Sequence, residues 1–318
     1  MTRAMLVLLA MVAACSVARA QGYPNRPLRI VVPAAPAGAT DILSRILSFK
    51  LYESWGQVVQ VDNRPGGGGI IASELVAKAA PDGYTLLMAS TSHVTNPTLQ
   101  GKLPYDTLND FAPVSMVAVV PGVLLVHPSL PVHSVAELIA FAKRRPGELD
   151  YGSAGSGSAT HLGGMLFSAM TGVILVHVPY KGGAPALNDL LGGRVSLMFG
   201  SVASSIAHIR SGRVRALAVT SARRSAALPH LPTMAEAGLQ DYEATAWFAL
   251  FAPAKTPGAV INKLNSEVVA ALQSPDVKER LHAQGAEIVP GEPGQLGDYV
   301  RSEIAKWEKV IRKVGGVR

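Results

Sequence analysis

Short apolar runs alternate along this chain with longer stretches whose apolar residues recur three and four positions apart. Leu28 to Val32, set between Pro27 and Pro33, has the pattern of a buried strand. A loop of small residues, Pro33 to Thr40, follows it, and from Asp41 onward Ile42, Leu43, Ile46 and Leu47 fall on one side of a helix. Val58 to Val61 and Thr85 to Ala89 read as further strands around a helical segment, Ile71 to Ala79. A second set begins with a strand at Val123 to Val126. Ser134-Val135-Ala136-Glu137 is a capping box, in which hydroxyl and carboxylate satisfy orphan amides reciprocally. Behind it Val135, Leu138, Ile139 and Ala142 carry a helix to about Lys143, ahead of Pro146-Gly147. Then come a strand ending at Tyr151, a helix from about Ala159 to Met170, and a strand from Ile174 to Val178. A helix near Ala184 to Leu191, a strand Val195 to Phe199, a helix near Val202 to Arg210 and a strand Ala216 to Val219 complete the set. Strands alternating with helices specify an α/β protein with a mainly parallel sheet, because a parallel pair needs a crossover and the helix supplies it.

Two amphipathic stretches close the chain, one with Ile261, Leu264, Val268 and Leu272, the other with Leu296, Tyr299, Val300, Ile304 and Trp307. Neither buries its apolar stripe alone, so both are expected to pack back on the first unit. A chain of 318 residues also exceeds what one core usually serves. The expected division is a first lobe of residues 21–122 and 228–318 and a second of 123–227, with two crossings, a cleft between them and hinge closure. Residues 1–20 read as an export signal: Arg3, an apolar stretch from Ala4 to Ala14, then Ala18-Arg19-Ala20 for a signal peptidase. Val12-Ala13-Ala14-Cys15 offers the competing reading of a lipobox, with Cys15 carrying a lipid anchor. Either route places the mature chain outside the cytoplasm.

Composition narrows the function. With 48% hydrophobic residues the chain is globular, and one Cys supports neither a disulfide framework nor a thiolate metal site. The formal charge is +7, and a chain beginning at Gln21 keeps 27 basic against 22 acidic residues. No basic run is interleaved with aromatics, so nucleic acid is not the expected partner; a diffuse positive field suits small anions. His-Glu-x-x-His, Gly-x-Ser-x-Gly and Ser-x-x-Lys patterns do not occur, and the eight histidines lack metal-ligand spacing. The expectation is therefore a protein without metal, cofactor or catalytic residues. Arg64-Pro65 with Gly66 to Gly69 lacks both P-loop and dinucleotide spacing and reads as a turned loop.

The informative feature is a matched pair of small-residue loops between strand and helix, Pro33 to Thr40 and Gly152 to Ser158. Such loops at the carboxyl ends of parallel strands face a ligand crevice, and the helix that follows presents free N–H groups and a partial positive charge. The first brings Ala35, Ala37, Gly38, Ala39, Thr40 and Asp41 as candidates, and Asp41 reads either as a helix cap or as a group for a ligand ammonium or water. The second brings Ser153, Gly155, Ser156, Gly157 and Ser158, read either as an anion cradle or as a turn ending in an N-cap. His161 follows one turn later, where a bond to backbone competes with a ligand role. A third junction carries Tyr180, Lys181, Gly182, Gly183 and Ala184; a fourth rim, after Thr85 to Ala89, carries Thr91, Ser92 and Asn96.

At these loops the chain resembles the periplasmic solute-binding proteins of tripartite tricarboxylate transporters, the Bug family. The matching pieces are Tyr23-Pro24-Asn25-Arg26-Pro27, the Pro-rich loop ending in Asp41, Asn63-Arg64-Pro65-Gly66 and Pro81-Asp82-Gly83-Tyr84-Thr85-Leu86-Leu87. Tyr151-Gly152-Ser153-Ala154-Gly155, His161-Leu162, His177-Val178-Pro179-Tyr180-Lys181-Gly182, Ala216-Leu217-Ala218-Val219-Thr220 and Pro232-Thr233 with Glu236-Ala237-Gly238 continue the match in order. The resemblance implies a type II periplasmic binding protein fold, two α/β lobes closing on a small carboxylate: a di- or tricarboxylate, an aromatic acid or an acidic amino acid. It further implies a monomeric receptor whose partner is a two-component membrane permease; a sensor-presenting role or an exported hydrolase or isomerase are the rivals. It maps the binding loops onto Pro33 to Asp41, Thr91 to Asn96, Gly152 to His161 and Tyr180 to Ala184. Two departures stand out: Ala37-Gly38-Ala39 replaces the family's Pro-Gly-Gly, and Gly200 stands where many members carry an acid.

Overall fold

The computed structural model describes residues 22–283 and 285–313. The export signal, Cys15 included, lies outside the described residues. The first half runs β1 (Leu28–Val32), α1 (Ala39–Trp55), β2 (Val59–Asn63), a 3-10 turn at Gly67–Gly69, α2 (Ile70–Ala77), β3 (Thr85–Ser90) and α3 (Ser92–Gln100). β4 (Phe111–Val126) leads into α4 (Val135–Lys143), β5 (Asp150–Ser153), α5 (Ala159–Thr171), β6 (Val176–Pro179), α6 (Gly183–Leu191), β7 (Leu197–Ser201), α7 (Val202–Arg210) and β8 (Arg215–Val219). The chain ends with β9 (Thr245–Pro253), α8 (Gly258–Gln273), α9 (Pro275–Ala283), β10 (Glu287–Ile288) and α10 (Pro293–Lys313).

The sheet order is β2-β1-β3-β9-β4-β7-β5-β6, with β8 and β10 also paired to β4. β1 is parallel to β2 and β3, and β5 is parallel to β6 and β7, as the strand-helix alternation requires. The centre departs from the mainly parallel expectation, since β9 and β4 are antiparallel to their neighbours. β4 begins twelve residues before the strand expected at Val123. It passes Pro113 and Pro121, and its register with β9 shifts near Pro113 and again between Met116 and Ala118. Its partner changes from β9 at Pro121 to β7 at Gly122, so one strand is shared by both halves of the sheet.

Four apolar clusters fill the faces. Leu28, Ile30, Leu43 and Leu47 pack with Ile261, Leu264, Val268 and Leu272 of α8, and Val31 and Leu87 with Leu296, Val300 and Trp307 of α10. The C-terminal helices thus cover the two faces of the first half, because their stripes have no other apolar surface to bury against. Tyr151, Phe167 and Phe199 form a third cluster, which also takes Met234, Tyr242 and Ala244; the Tyr242 hydroxyl donates to the Gly163 carbonyl at 2.8 Å. Residues 228–244 therefore include side chains packed in the core of the second half. The Ser134 cap forms: Ser134 Oγ accepts from the Glu137 amide at 3.1 Å. The Glu137 carboxylate reaches one residue further back than a capping box requires, accepting from the His133 amide at 2.7 Å.

Candidate functional site

β1, β5, β6 and β7 each end in a loop or cap of small residues that starts a helix, and the N-termini of α1, α5, α6 and α7 meet around one cavity of about 70 Å³. Gly38, Ala39 and Thr40 line it from α1, Ser158 to Thr160 from α5, Gly183 from α6, and Ser201 and Ser204 from α7. Ser90 and Thr91 enter from the end of β3, and Met198, Ala246 and Phe248 supply the apolar surface. First-turn amides have no partner inside their own helix, so this wall is rich in N–H groups and partial positive charge. Among the described residues that line the cavity none is charged, and none is His or Cys. The volume is far below the ~300–1,000 Å³ of a drug-sized pocket, which restricts the occupant to a small molecule.

The two halves touch around this cavity. The Ala35 amide donates to the Lys181 carbonyl at 2.9 Å, and Thr95 Oγ1 donates to the Gly157 carbonyl at 2.7 Å. Asn96 Nδ2 donates to the Gly68 carbonyl at 3.1 Å, and a Cβ placed on Gly68 would stand 2.8 Å from the Ser156 carbonyl. The Gly/Ser loop owes its shape to its neighbours. The Ala154 amide donates to Thr160 Oγ1 at 2.7 Å, the Gly155 amide to Ser153 Oγ at 3.1 Å, and the Gly157 amide to His161 Nδ1 at 3.1 Å. Ser158 Oγ donates to the Gly155 carbonyl at 2.6 Å while capping α5.

His161 stacks on His177 with ring centroids 4.0 Å apart, and His177 Nε2 lies 2.7 Å from Ser153 Oγ. Burial, reinforced by the facing imidazole, pushes His161 down to about 3; burial pushes His177 down to about 4. Both rings are therefore neutral at neutral pH, and His161 serves as an acceptor for a loop amide rather than as a general base.

Of the expected residues, Gly38, Ala39, Thr40, Thr91, Ser158 and Gly183 line the cavity. Gly155, Ser156, Tyr180 and Lys181 line an adjoining outer groove of about 280 Å³, together with the turned loop Gly66 to Gly69. Ala35, Ala37, Asp41, Ser92, Asn96, Ser153, Gly157, His161, Gly182 and Ala184 line neither. Asp41 is buried and turned back: its Oδ2 accepts from the Ala37 amide and from Arg45 Nε, both at 2.9 Å. Burial alone would raise the Asp41 carboxyl, but the Arg45 guanidinium and the Ala37 amide outweigh it and hold it below the usual range. One carboxylate oxygen is thus engaged at the helix start, with Ala37 held at φ 65°, while Oδ1 is buried without a partner. The Tyr180 hydroxyl donates to Asp189 at 2.7 Å, and the Lys181 side chain is exposed. A Cβ on Gly200 would enter against Leu125 and Ser205. Position 200 thus faces packed side chains, and it is Ser201, one residue later, that lines the cavity. Ser201, Ser204, Ala246 and Phe248 escape sequence reasoning, because β7 runs two residues further than its apolar run suggests and β9 carries no loop signal. A roomier groove of about 640 Å³, between Ser225 to Ala227 and the α9–β10 turn, is lined by none of the expected residues.

These features, an α/β sheet with opposed loop-to-helix junctions closed over a small uncharged-walled cavity, are those of a solute-binding receptor, and comparison with known proteins agrees. Residues 43–316 match the family described as tripartite tricarboxylate transporter family receptor, and the chain belongs to that family. It is 42% identical to Protein BugT of Bordetella pertussis, over 99% of this chain and 98% of that one. The structure of Rpa4515 from R. palustris with adipate superimposes with a TM-score of 0.90 at 44% identity, covering 92% of this chain and 98% of that one. MatC from Rhodopseudomonas palustris with bound malate superimposes at 0.87 and 33% identity, covering 91% and 100%. The expected type II binding fold is thereby confirmed.

Proposed function

We propose that this chain is a periplasmic receptor that closes on a small dicarboxylate and delivers it to a two-component membrane permease, without chemistry on the ligand. The carrying observation is the convergence of four helix N-termini on one small cavity whose walls hold hydroxyls and amides but no cationic side chain. Such walls suit carboxylate oxygens, which accept several N–H and O–H bonds at once. The adipate and malate in the related structures are both dicarboxylates. Direct contacts are assigned to Gly38, Ala39, Thr40, Thr91, Ser158, Gly183 and Ser201, while Gly155, Ser156, Tyr180 and Lys181 form the outer rim. The lobes are residues 21–122 with 245–318, and 123–244; residues 228–244, expected from the sequence in the first lobe, go with the second because Met234, Tyr242 and Ala244 pack in its core, and the protein acts as a monomer released after residue 20. Among the described residues no helix is long and apolar enough to cross a membrane.

Calorimetry and thermal shift on the chain from Gln21 test this reading. Adipate or succinate at a hundred times its dissociation constant should add about 2.7 kcal/mol of stability. For a chain of this size that raises Tm by several degrees. Absence of any shift across a panel of mono-, di- and tricarboxylates refutes it, and turnover of a bound carboxylate refutes the non-enzymatic part.

A further inference from the structure

The cavity holds two hydroxyls that satisfy nothing in the protein. Thr91 Oγ1 and Ser201 Oγ are both buried and both lack a hydrogen-bond partner, although both residues line the cavity. Thr91 as a whole is 1% exposed. A buried hydroxyl without a partner is unfavourable, so the pair is costly in the absence of an acceptor. Their neighbours in the cavity differ in this respect: Ser158 Oγ and Thr160 Oγ1 already bond the Gly/Ser loop. Thr91 follows β3 and Ser201 ends β7, with β9 and β4 lying between them in the sheet. The surface between is apolar, supplied by Ala246 and Phe248 of β9 and Met198 of β7.

We infer that Thr91 and Ser201 are the specificity-determining pair, one donating to each carboxylate of an α,ω-dicarboxylate that carries no amino group. The inference rests on the proposed receptor function and narrows its ligand class. Each hydroxyl completes its bonding on a carboxylate oxygen, and the helix N-termini beside it, α3 behind Thr91 and α7 behind Ser201, favour the negative charge. An ammonium between the two ends would face the apolar Ala246, Phe248 and Met198, neutral hydroxyls and the positive ends of helix dipoles. Among the described residues no acidic side chain lines the cavity to receive it, and a buried ammonium without a counter-charge is strongly disfavoured. Aspartate and glutamate are therefore rejected, although they match succinate and glutarate in length.

Calorimetry with succinate, glutarate, adipate, L-aspartate and L-glutamate on the wild-type chain, Thr91→Val and Ser201→Ala decides the matter. The expected result is at least a hundredfold preference for dicarboxylates over the amino acids of equal length, and about a tenfold loss of dicarboxylate affinity in each variant. Butyrate, with one carboxylate, should lose affinity in one variant and not in the other. Circular dichroism verifies that both variants fold. Equal affinity for aspartate and succinate, or dicarboxylate affinity unchanged in both variants, overturns the pair assignment while leaving a carboxylate receptor in place. Failure of the wild-type chain to bind any carboxylate overturns the receptor reading itself.

Discussion

Adding one methyl group at Gly157 separates the cost of backbone strain from the cost of closing the two halves on each other. Gly157 has φ 78°, and a Cβ there would stand 2.7 Å from Thr95 Oγ1 and 3.0 Å from Leu99 Cδ1. Thr95 belongs to α3, in the other half of the sheet, is fully buried, and donates to the Gly157 carbonyl at 2.7 Å. It relieves the clash by rotating, which sacrifices that bond at about 1 kcal/mol, or the halves stop short of contact. Together with the residual overlap, closure in Gly157→Ala costs about 1–2 kcal/mol, a factor of roughly 5–30 in affinity. The left-handed conformation costs a further ~1 kcal/mol or more, but in open and closed states alike, so it lowers Tm and leaves affinity untouched. Gly172→Ala is the matched control: φ there is 70°, with nothing within 4 Å of the added Cβ. Calorimetry with adipate should find weaker binding in Gly157→Ala and wild-type binding in Gly172→Ala, with Tm lowered in both. Equal dissociation constants for all three proteins would refute closure through this contact.

Three further predictions follow from the same geometry. Gly155→Val should weaken adipate binding far more than Lys181→Ala, since Gly155 has φ 116° with a Cβ site 3.0 Å from the Tyr180 carbonyl, whereas the Lys181 side chain is exposed; a worse loss in Lys181→Ala would contradict amide-based capture. Acidification should destabilise the protein through its buried histidines. Burial pushes His93 down to about 4, so its unfolded form takes up protons first; the stabilisation is complete above pH about 6.5 and fades as pH falls toward 4, on the order of 3 kcal/mol for this group. Urea midpoints between pH 7.5 and 4.5 should show a shallower decline in His93→Leu, and parallel curves would disprove the assignment. Ala37→Gly should be stabilising by up to about 1 kcal/mol in thermal melts, because a non-glycine residue at φ 65° carries strain that exceeds the added chain entropy of glycine, while the amide bond to Asp41 is kept; a lower Tm would show that the chain entropy outweighs the strain.

Most of the elements were legible because their signals are local. β1 occupies Leu28–Val32 as read, and α4 spans Val135–Lys143 behind its Ser134 cap. The small-residue loops before α1, α5 and α6 stand at strand-to-helix junctions as their composition requires. α3, β9, α9 and β10 were not legible, and the first and second of these show why. α3 contains Pro97 and polar residues at most positions, and it is held by α10, more than 190 residues away in the chain, rather than by its own periodicity. β9 is a continuous apolar run ending at Pro253, a pattern shared by a buried helix segment and a buried strand, and it joins β3 to β4 at the centre of the sheet. Asp41 illustrates the limit at the level of one side chain: sequence left it between cap and ligand group, and in the fold its Oδ2 bonds Arg45 and the Ala37 amide while Oδ1 is buried without a partner.

The sequence by itself determined the α/β class, the positions of most strands and helices, and which loops could expose backbone amides, since periodicity, caps and small residues act over a few neighbours. Tertiary structure decided which of those amides meet: four helix N-termini from separate parts of the chain converge on one cavity, Ser201 enters it, and Tyr180, Lys181 and Asp41 turn elsewhere. The physical reason is that convergence depends on the register of the antiparallel β9–β4 centre, a pairing between residues more than a hundred positions apart that no local pattern encodes.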